Sequence, residues 1–240
     1  MTFQTNKPSS DSRPKKNYAQ IEPGIADYVE LLFQPIDAPL ASIRASSKAA
    51  GLPDIQVGPM DGRHLEVLTR MLKPRLAVEI GTLGGYSGLC LARGIQPGGT
   101  LFTFEKNETH ARVAKENLER AIAVEKLDVK FQIHNGAAVE LLPSIENEGP
   151  FDLVFIDADK PGYPAYLKWA IDNLRIGGVV IGDNTFAWGE VHRAHEKVGN
   201  DLMMVGSLDK FNRAVASDPR LRGTIFPTAE GLTVAVKVHA

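Results

Sequence analysis

The residues best suited to chemistry lie directly after two apolar runs of the sequence. Asp157 and Lys160 follow one run, and Asp183 and Asn184 follow another. If the runs are neighbouring parallel strands, Asp157, Asp183 and Asn184 meet at one edge of a sheet as an oxygen-only cluster. Such ligands suit a hard divalent cation, first Mg²⁺, with Ca²⁺ and Mn²⁺ as alternatives. Lys160 would sit over the same pocket as a base, the role of a lysine whose pKa a metal and partial burial lower.

An earlier apolar run ends in a glycine-rich loop, Glu79-Ile80-Gly81-Thr82-Leu83-Gly84-Gly85-Tyr86-Ser87. Glycines let the backbone turn tightly and approach a ligand closely. The loop is not a G-x-G-x-x-G dinucleotide fingerprint, because Leu83 and Tyr86 stand where glycines are required. The chain also lacks the Gly-Lys pair of a P-loop. These features predict a nucleotide-like ligand without a pyrophosphate.

Two acids are predicted near this ligand. Glu105 ends the next apolar run, where a carboxylate can accept both ribose hydroxyls of a nucleoside. Together with Glu79 it favours a cationic cofactor over a phosphate-rich one. Each feature taken singly also has a plainer interpretation, namely a tight turn, a surface acid, or an aspartate that caps the next helix. For Asp157 and Asp183, the coincidence of two acidic strand ends favours the functional interpretation.

The elements that must position these residues alternate in type from residue 75 onwards. Apolar runs rich in Val, Ile and Phe predict strands at 76–81, 100–105, 129–134, 151–157 and 177–183. Amphipathic segments predict helices at about 86–95, 107–123, 137–145 and 163–174. This alternation is typical of an α/β fold with a doubly wound, mostly parallel sheet. Two last runs, 221–228 and 232–238, predict a C-terminal antiparallel hairpin.

The domain organisation follows from length and composition. The polar residues 1–17 predict a disordered tail, and 18–240 predict a single domain made of N-terminal helices over 18–72 and an α/β core over 75–240. In the second N-terminal helix, Asp61 is expected to be the cap. The net charge of −2 argues against nucleic acid as a partner.

Localisation is predicted from what the sequence contains. No apolar run is long enough to span a membrane, and the first residues have no apolar core of a secretory signal. The single cysteine, Cys90, excludes a disulfide framework. These observations predict a cytoplasmic protein without a membrane partner.

Taken together, the three motifs resemble those of the cation-dependent S-adenosylmethionine O-methyltransferases, the family of the caffeoyl-CoA and catechol enzymes. The resemblance rests on Glu79–Ser87, on Phe151–Lys160 and on Gly177–Thr185, and it extends over about residues 57–238. It implies a Rossmann-like class I methyltransferase fold and a homodimer. The family's loop after Asp-Asn often reads Thr-Leu-Trp-x-Gly, whereas Trp188 lies one position later here.

The resemblance also implies residue roles. Contacts with S-adenosylmethionine are implied for Val57, Glu79, Gly81, Thr82, Gly85, Ser87, Glu105, Ala138, Asp157 and Asp159. Metal ligation is implied for Asp157, Asp183 and Asn184. Asp157 and Lys160 would be the catalytic residues, with Lys160 as the base.

The implied activity is metal-assisted methyl transfer to a hydroxyl of a small, catechol-like acceptor that carries two neighbouring hydroxyls. Two alternatives remain at this stage. One is a nicotinamide-dependent oxidoreductase on a Rossmann-like fold, and the other is a non-enzymatic cofactor-binding protein. The identity of the acceptor is not encoded in any motif that can be recognised in the sequence.

Overall fold

A computed structural model describes residues 23–240 of the chain. The predicted disordered tail, 1–17, lies outside these residues. Seven strands form one sheet in the order β3-β2-β1-β4-β5-β7-β6. The strands are β1 (Leu76–Ile80), β2 (Gly99–Glu105), β3 (Val129–Asn135), β4 (Phe151–Ile156), β5 (Leu174–Gly182), β6 (Leu221–Phe226) and β7 (Leu232–Lys237).

The pairing of the strands confirms the predicted fold class. Strands β1 to β5 are parallel, while β7 runs antiparallel to both β5 and β6. Central strands such as β1 and β4 are almost entirely buried, which explains why they appear in the sequence as continuous apolar runs rather than as alternating patterns.

Helices lie before and between these strands in the chain. They are α1 (Pro23–Phe33), α2 (Ala38–Ala49), α3 (Pro59–Leu72), α4 (Tyr86–Ala92), α5 (Glu108–Glu125), α6 (Ala138–Leu141), α7 (Tyr163–Asn173) and α8 (Gly199–Ser217). One apolar core joins α6, α7 and α8 to one face. A second core joins helices α2, α3, α4 and α5 to the other face. The sheet is therefore doubly wound, as predicted.

The register of the parallel strands aligns their carboxyl ends. Ile80 of β1 pairs with Phe104 of β2 and with Ile156 of β4, and Ile156 pairs in turn with Gly182 of β5. The residue that follows each of these positions therefore lies at the same level of the sheet. Those residues are Gly81, Glu105, Asp157 and Asp183.

Some local expectations were wrong. Asp61 does not cap α3, because Gly58 is the N-cap and Asp61 lies buried within the first turn. The predicted helix at 137–145 is only the short α6 followed by a 3-10 helix, Leu142–Glu148. Pro143 explains the break, since proline has no N–H for the continuing helical hydrogen bonds.

A buried cluster of charges fastens the N-terminal helices to the core. The Arg93 guanidinium, just after α4, lies 3.0 Å from a Glu66 carboxylate oxygen of α3 and 2.7 Å from Asp37, the N-cap of α2. It also pairs with Glu125 of α5. The Arg93 side chain is only 5% exposed, so its carboxylate partners depend on it for compensation.

We expect Arg93→Ala to lower the free energy of unfolding by about 3 kcal/mol, because Glu66 and Glu125, which are 9% and 19% exposed, lose a cation, and only Glu66 keeps another, Arg70. Urea unfolding monitored by circular dichroism measures this change. Arg112→Ala is the control, since Arg112 is 60% exposed in its pair with Glu116 and its loss should cost under about 0.5 kcal/mol. Equal effects of the two substitutions would contradict the role given to the Arg93 cluster.

Candidate functional site

A cavity of about 670 Å³ opens at the carboxyl edge of the parallel strands. Its volume is within the range of small-molecule sites. The predicted cofactor residues that line it are Val57, Gly81, Thr82, Ser87, Glu105, Ala138, Asp157 and Asp159. The predicted base and the other predicted metal ligands, Lys160, Asp183 and Asn184, line the same cavity. The structure thus brings residues from six parts of the chain together, while Glu79 and Gly85 lie outside the lining.

Gly81 is required by the close approach of two strands. Its φ of +100° lies in the region that favours glycine, and a Cβ there would lie 1.9 Å from the backbone oxygen of Asp157. The glycine loop can therefore turn directly against the end of β4. This contact places the loop and Asp157 on the same wall of the cavity.

Glu105 holds the glycine loop in a strained conformation. Leu83 has a φ of +48°, and its N–H donates to a Glu105 carboxylate oxygen over 2.8 Å. The other oxygen of Glu105 accepts from the backbone N–H of Asn107 over 2.8 Å. The predicted ribose-binding acid is thus fixed in position by two backbone donors at the edge of the cavity.

Glu79 lies one layer behind the cavity wall and is fully buried. Its carboxylate accepts hydrogen bonds from the hydroxyls of Ser87 and Thr103, each over 2.6 Å. Burial raises the pKa of Glu79 to about 7, and the charges of Asp157 and Glu105 contribute, although the two hydroxyl bonds act in the opposite direction. Glu79 orients Ser87, which lines the cavity; direct contact between Glu79 and a cofactor stays a prediction.

Gly85 serves the turn rather than the cavity wall. It is the N-cap of α4 with a φ of +85°, and a Cβ there would meet the Leu118 side chain of α5 at 3.1 Å. The predicted contact between Gly85 and a cofactor likewise stays a prediction.

Lys160 is held at the end of β4 by two polar partners. Its Nζ donates to the Asp157 carboxylate over 3.0 Å and to the Tyr163 hydroxyl over 2.9 Å. The Tyr163 hydroxyl lies 3.1 Å from the carbonyl oxygen of Ile156 and 2.9 Å from that of Asp183. Tyr163 therefore links the ends of β4 and β5 and fixes the amine between them. Lys160 is buried, which contradicts the plainer interpretation of a lysine in solvent.

Two carboxylates lie close to this amine. Asp183 is only 2% exposed. Burial raises the pKa of its carboxyl well above the usual range, and the charges of Asp157 and Asp61 strengthen the effect. The backbone N–H of Asn184 donates to the Asp183 carboxylate over 2.8 Å. Asp157 is 20% exposed and pairs with Lys160, whereas the buried Asp183 is compensated by a proton or by a bound cation.

The C-terminal hairpin reaches back to this cluster, which the sequence did not reveal. The Asn184 side-chain amide donates to the carboxylate of Glu230, in the turn between β6 and β7, and Glu230 also lines the cavity. Backbone bonds join Thr185 to Gly231 and Phe186 to Glu230. Because the side-chain nitrogen of Asn184 donates to Glu230, its side-chain oxygen, Oδ1, is the atom left for a cation. The only signal in the sequence was an acid placed in a hairpin turn.

Asp159 is fixed by the helix that follows it. Its two carboxylate oxygens accept from the Tyr166 hydroxyl over 2.6 Å and from the Gly162 N–H over 3.1 Å. It therefore caps the short helical turn before α7 and lines the cavity at the same time.

The predicted metal ligands are two carboxylates and one amide. Within residues 23–240, no group of three or more His, Cys, Asp or Glu side chains is arranged to hold a metal ion. The oxygen-only donors Asp157, Asp183 and Asn184, with excess buried negative charge, fit a hard cation better than a soft one.

Comparisons with known proteins agree with this geometry. A family model described as O-methyltransferase matches residues 37–238. A catechol O-methyltransferase of Mycobacterium tuberculosis is 40% identical over 169 residues, which are 70% of this chain and 74% of that protein. One from Niastella koreensis is 37% identical over 174 residues, 72% of this chain and 77% of that protein.

A solved structure carries the same fold. The O-methyltransferase from Bacillus cereus in complex with SAH superposes with a TM-score of 0.78 at 38% identity, covering 89% of this chain and 97% of that one. The fold and the cavity at its carboxyl edge define a class I, S-adenosylmethionine-dependent methyltransferase. More particularly, the chain belongs to the O-methyltransferase family that includes the catechol and caffeoyl-CoA enzymes. The alternatives of an oxidoreductase and of a non-enzymatic binding protein are thereby set aside.

The raised pKa of Glu79 predicts a pH-dependent stability. Folded protein holds the Glu79 proton up to pH of about 7, whereas the unfolded chain loses it near 4.5, so its contribution to stability is lost as pH rises between these values. Urea unfolding at several pH values should show the wild type losing up to about 3 kcal/mol relative to Glu79→Gln across this window. Glu140→Gln, at an exposed site, is the control. Parallel pH curves for wild type and Glu79→Gln would contradict the assignment.

Proposed function

We propose that the protein transfers the methyl group of S-adenosylmethionine to one hydroxyl of a small aromatic acceptor with two neighbouring hydroxyls, and that a divalent cation assists the reaction. The observation that carries this proposal is the buried Lys160, held between Asp157 and Tyr163 beside Asp183. The names of the two bacterial relatives, catechol O-methyltransferases, support the same class of acceptor.

The cofactor side of the cavity is the glycine loop and the end of β2. Gly81, Thr82 and Ser87 would face the methionine end, and Val57 would contribute its backbone. Glu105 would accept the ribose hydroxyls, Ala138 would lie beside the adenine, and Asp159 would help to orient the cofactor. The negative charge of Glu105 suits the positive charge of the sulfonium and the ammonium. Glu79, whose pKa is raised to about 7, adds negative charge behind the wall as the pH rises past this value.

Asp157, Asp183 and the Asn184 carbonyl oxygen would hold the cation, Mg²⁺ in preference to Ca²⁺ or Mn²⁺. When bound, the cation lowers the pKa of an acceptor hydroxyl by stabilising its oxyanion. Lys160 takes the hydroxyl proton at its Nζ, and Tyr163 keeps that nitrogen in place. The glycine loop and the carboxyl ends of β4 and β5 hold donor and acceptor in line, which is where much of the acceleration arises.

The rim of the cavity supports an aromatic acceptor. Ile55 and Trp188 line it from different loops, and their side chains remain 71% and 55% exposed. Trp188 follows Ala187, and both have φ near +50°, a conformation that costs free energy in non-glycine residues. Apolar groups exposed at a cavity mouth are suited to packing against a planar ring.

Methyl transfer to a vicinal diol tests the function directly. We expect purified protein to methylate a catechol with S-adenosylmethionine and Mg²⁺, EDTA to abolish the activity, and added Mg²⁺ to restore it. Activity can be followed by mass spectrometry of the product. Activity that persists in EDTA would overturn the metal proposal alone, and a lack of transfer to every vicinal diol tested would overturn the proposed acceptor.

Lys160→Ala should lower kcat by 10²- to 10⁴-fold, roughly the contribution of a general base, while the Kd for S-adenosylhomocysteine changes little. Lys168→Ala is the matched control, because that lysine is 78% exposed on α7. Equal losses of turnover and of cofactor affinity in Lys160→Ala would contradict its role as base.

The apolar surface of α1 supports a homodimer. Tyr28, Leu31 and Leu32 are 62%, 76% and 57% exposed, although they lie close together on one helix. Exposed apolar groups in such a concentration mark an interaction surface, and we assign it to a second copy of the chain.

No helix within residues 23–240 combines the length and apolar character needed to cross a bilayer. The buried free Cys90 and the net charge of −2 support a reducing, cytoplasmic location without nucleic acid as a partner.

Light scattering coupled to size exclusion tests the dimer. We expect the mass of two chains for the wild type and of one chain for Leu31→Asp/Leu32→Asp, because two charges would be buried at the interface. Glu30→Ala, at an exposed polar position of the same helix, should keep the dimer. A monomeric wild type would exclude the proposal.

A further inference from the structure

The back of the glycine loop is packed against α2, away from the cavity. Gly84 does not line the cavity, and its φ is not in the left-handed region. A Cβ on Gly84 would nevertheless lie 2.1 Å from the Oγ of Ser47 and 3.1 Å from its Cβ. The glycine at this position is therefore dictated by the space that Ser47 fills, and not by the backbone conformation.

A buried asparagine ties the same point of the loop to α5. Asn117 is 1% exposed, and its amide nitrogen donates to the Gly84 carbonyl over 2.8 Å. Its amide oxygen accepts from the Ser46 hydroxyl over 2.6 Å and from the Arg120 guanidinium over 2.7 Å. These partners allow one orientation of the amide, so Asn117 presents a donor, and never an acceptor, to Gly84.

Ser47 also contacts, through its backbone, the segment that leads toward the cavity rim. Its carbonyl oxygen accepts from the N–H of Leu52 over 3.0 Å, at the start of the segment that leads from α2 to α3. Ile55 and Val57 of that segment line the cavity. A single residue of α2 thus contacts the glycine loop with its side chain and the rim segment with its backbone.

We infer that Ser47 and Asn117 are positioning residues for the cofactor, and that α2 couples the glycine loop to the rim segment, residues 51–58. They act through Gly84 by fixing the backbone on either side of it. Leu83 has to remain in its strained conformation for its N–H to reach Glu105. Binding of the cofactor to the loop therefore makes residues 51–58, where the acceptor enters, more ordered. This inference rests on the cofactor site proposed above.

A size exchange tests the packing of Ser47 on the loop. Gly84→Ala should weaken S-adenosylhomocysteine binding about tenfold in calorimetry, because the new methyl group overlaps Ser47 and displaces the loop. Ser47→Gly/Gly84→Ala should restore most of the affinity, since the nearest remaining atom is a Leu52 methyl at 3.5 Å from the new Cβ. Gly24→Ala is the matched control, because a Cβ there meets nothing within 4 Å.

Hydrogen exchange tests the coupling. In the wild type, S-adenosylhomocysteine should slow amide exchange in residues 51–58 as well as in the glycine loop. In Asn117→Ala, saturating ligand should no longer slow exchange in residues 51–58, because the hydrogen bond to Gly84 is gone. Asn147→Ala, at an exposed site, is the control and should still show the slowing. A purely stabilising role of Asn117 would change exchange equally with and without ligand, and that result would overturn the coupling.

The outcomes separate this inference from the proposed cofactor site. If wild-type protein does not bind S-adenosylhomocysteine, or if Glu105→Ala leaves its Kd unchanged, the proposed site is wrong. If Glu105→Ala weakens binding while Gly84→Ala does not, or if the double variant binds no better than Gly84→Ala, the cofactor site stands and the role of Ser47 is wrong.

Discussion

The accumulation of negative charge at one edge of the sheet is the constraint on which the site depends. Strand register places Glu105, Asp157 and Asp183 in one row, with Glu79 buried just behind it. Carboxylates so placed repel one another and lose hydration, and the raised pKa values of Glu79 and Asp183 express that cost. The Lys160 amine, hydroxyl donors and backbone N–H groups offset part of it. The remainder favours the cationic methyl donor in this cavity, and it is the reason for proposing a metal ion there.

Compensation of charge also explains how the helices around the site are arranged. Among the helices, Arg93 forms ion pairs with Asp37, Glu66 and Glu125. The pair with Asp37, the N-cap of α2, fixes the start of that helix. Farther along α2, Ser46 and Ser47 meet Asn117 and the glycine loop. Helix α2 is thus anchored at its start by an ion pair and near its end by side-chain hydrogen bonds. The position of α2 relative to the cavity is therefore fixed at both ends.

Much of this arrangement was predictable because parallel strands have a simple rule of placement. A polar residue that directly follows an apolar strand lies at the carboxyl edge, and that rule located Asp157, Asp183 and Glu105. The rule says nothing about depth, so it could not show that Glu79 lies behind the wall. It says nothing about distant partners either, and the contact between Asn184 and Glu230 spans 46 residues. The break after α6 was missed because helical periodicity conceals the effect of a single proline.

The order of the last three strands has a consequence for how the enzyme is completed during synthesis. β7 lies between β5 and β6, although β6 precedes it in the chain. β6 can join the sheet only through β7, so neither can dock until β7 has emerged from the ribosome. The turn between them carries Glu230, which engages Asn184. A nascent chain therefore has all three motifs of the methyltransferase before it has a finished site, and its acidic edge is completed only once β7 has been made.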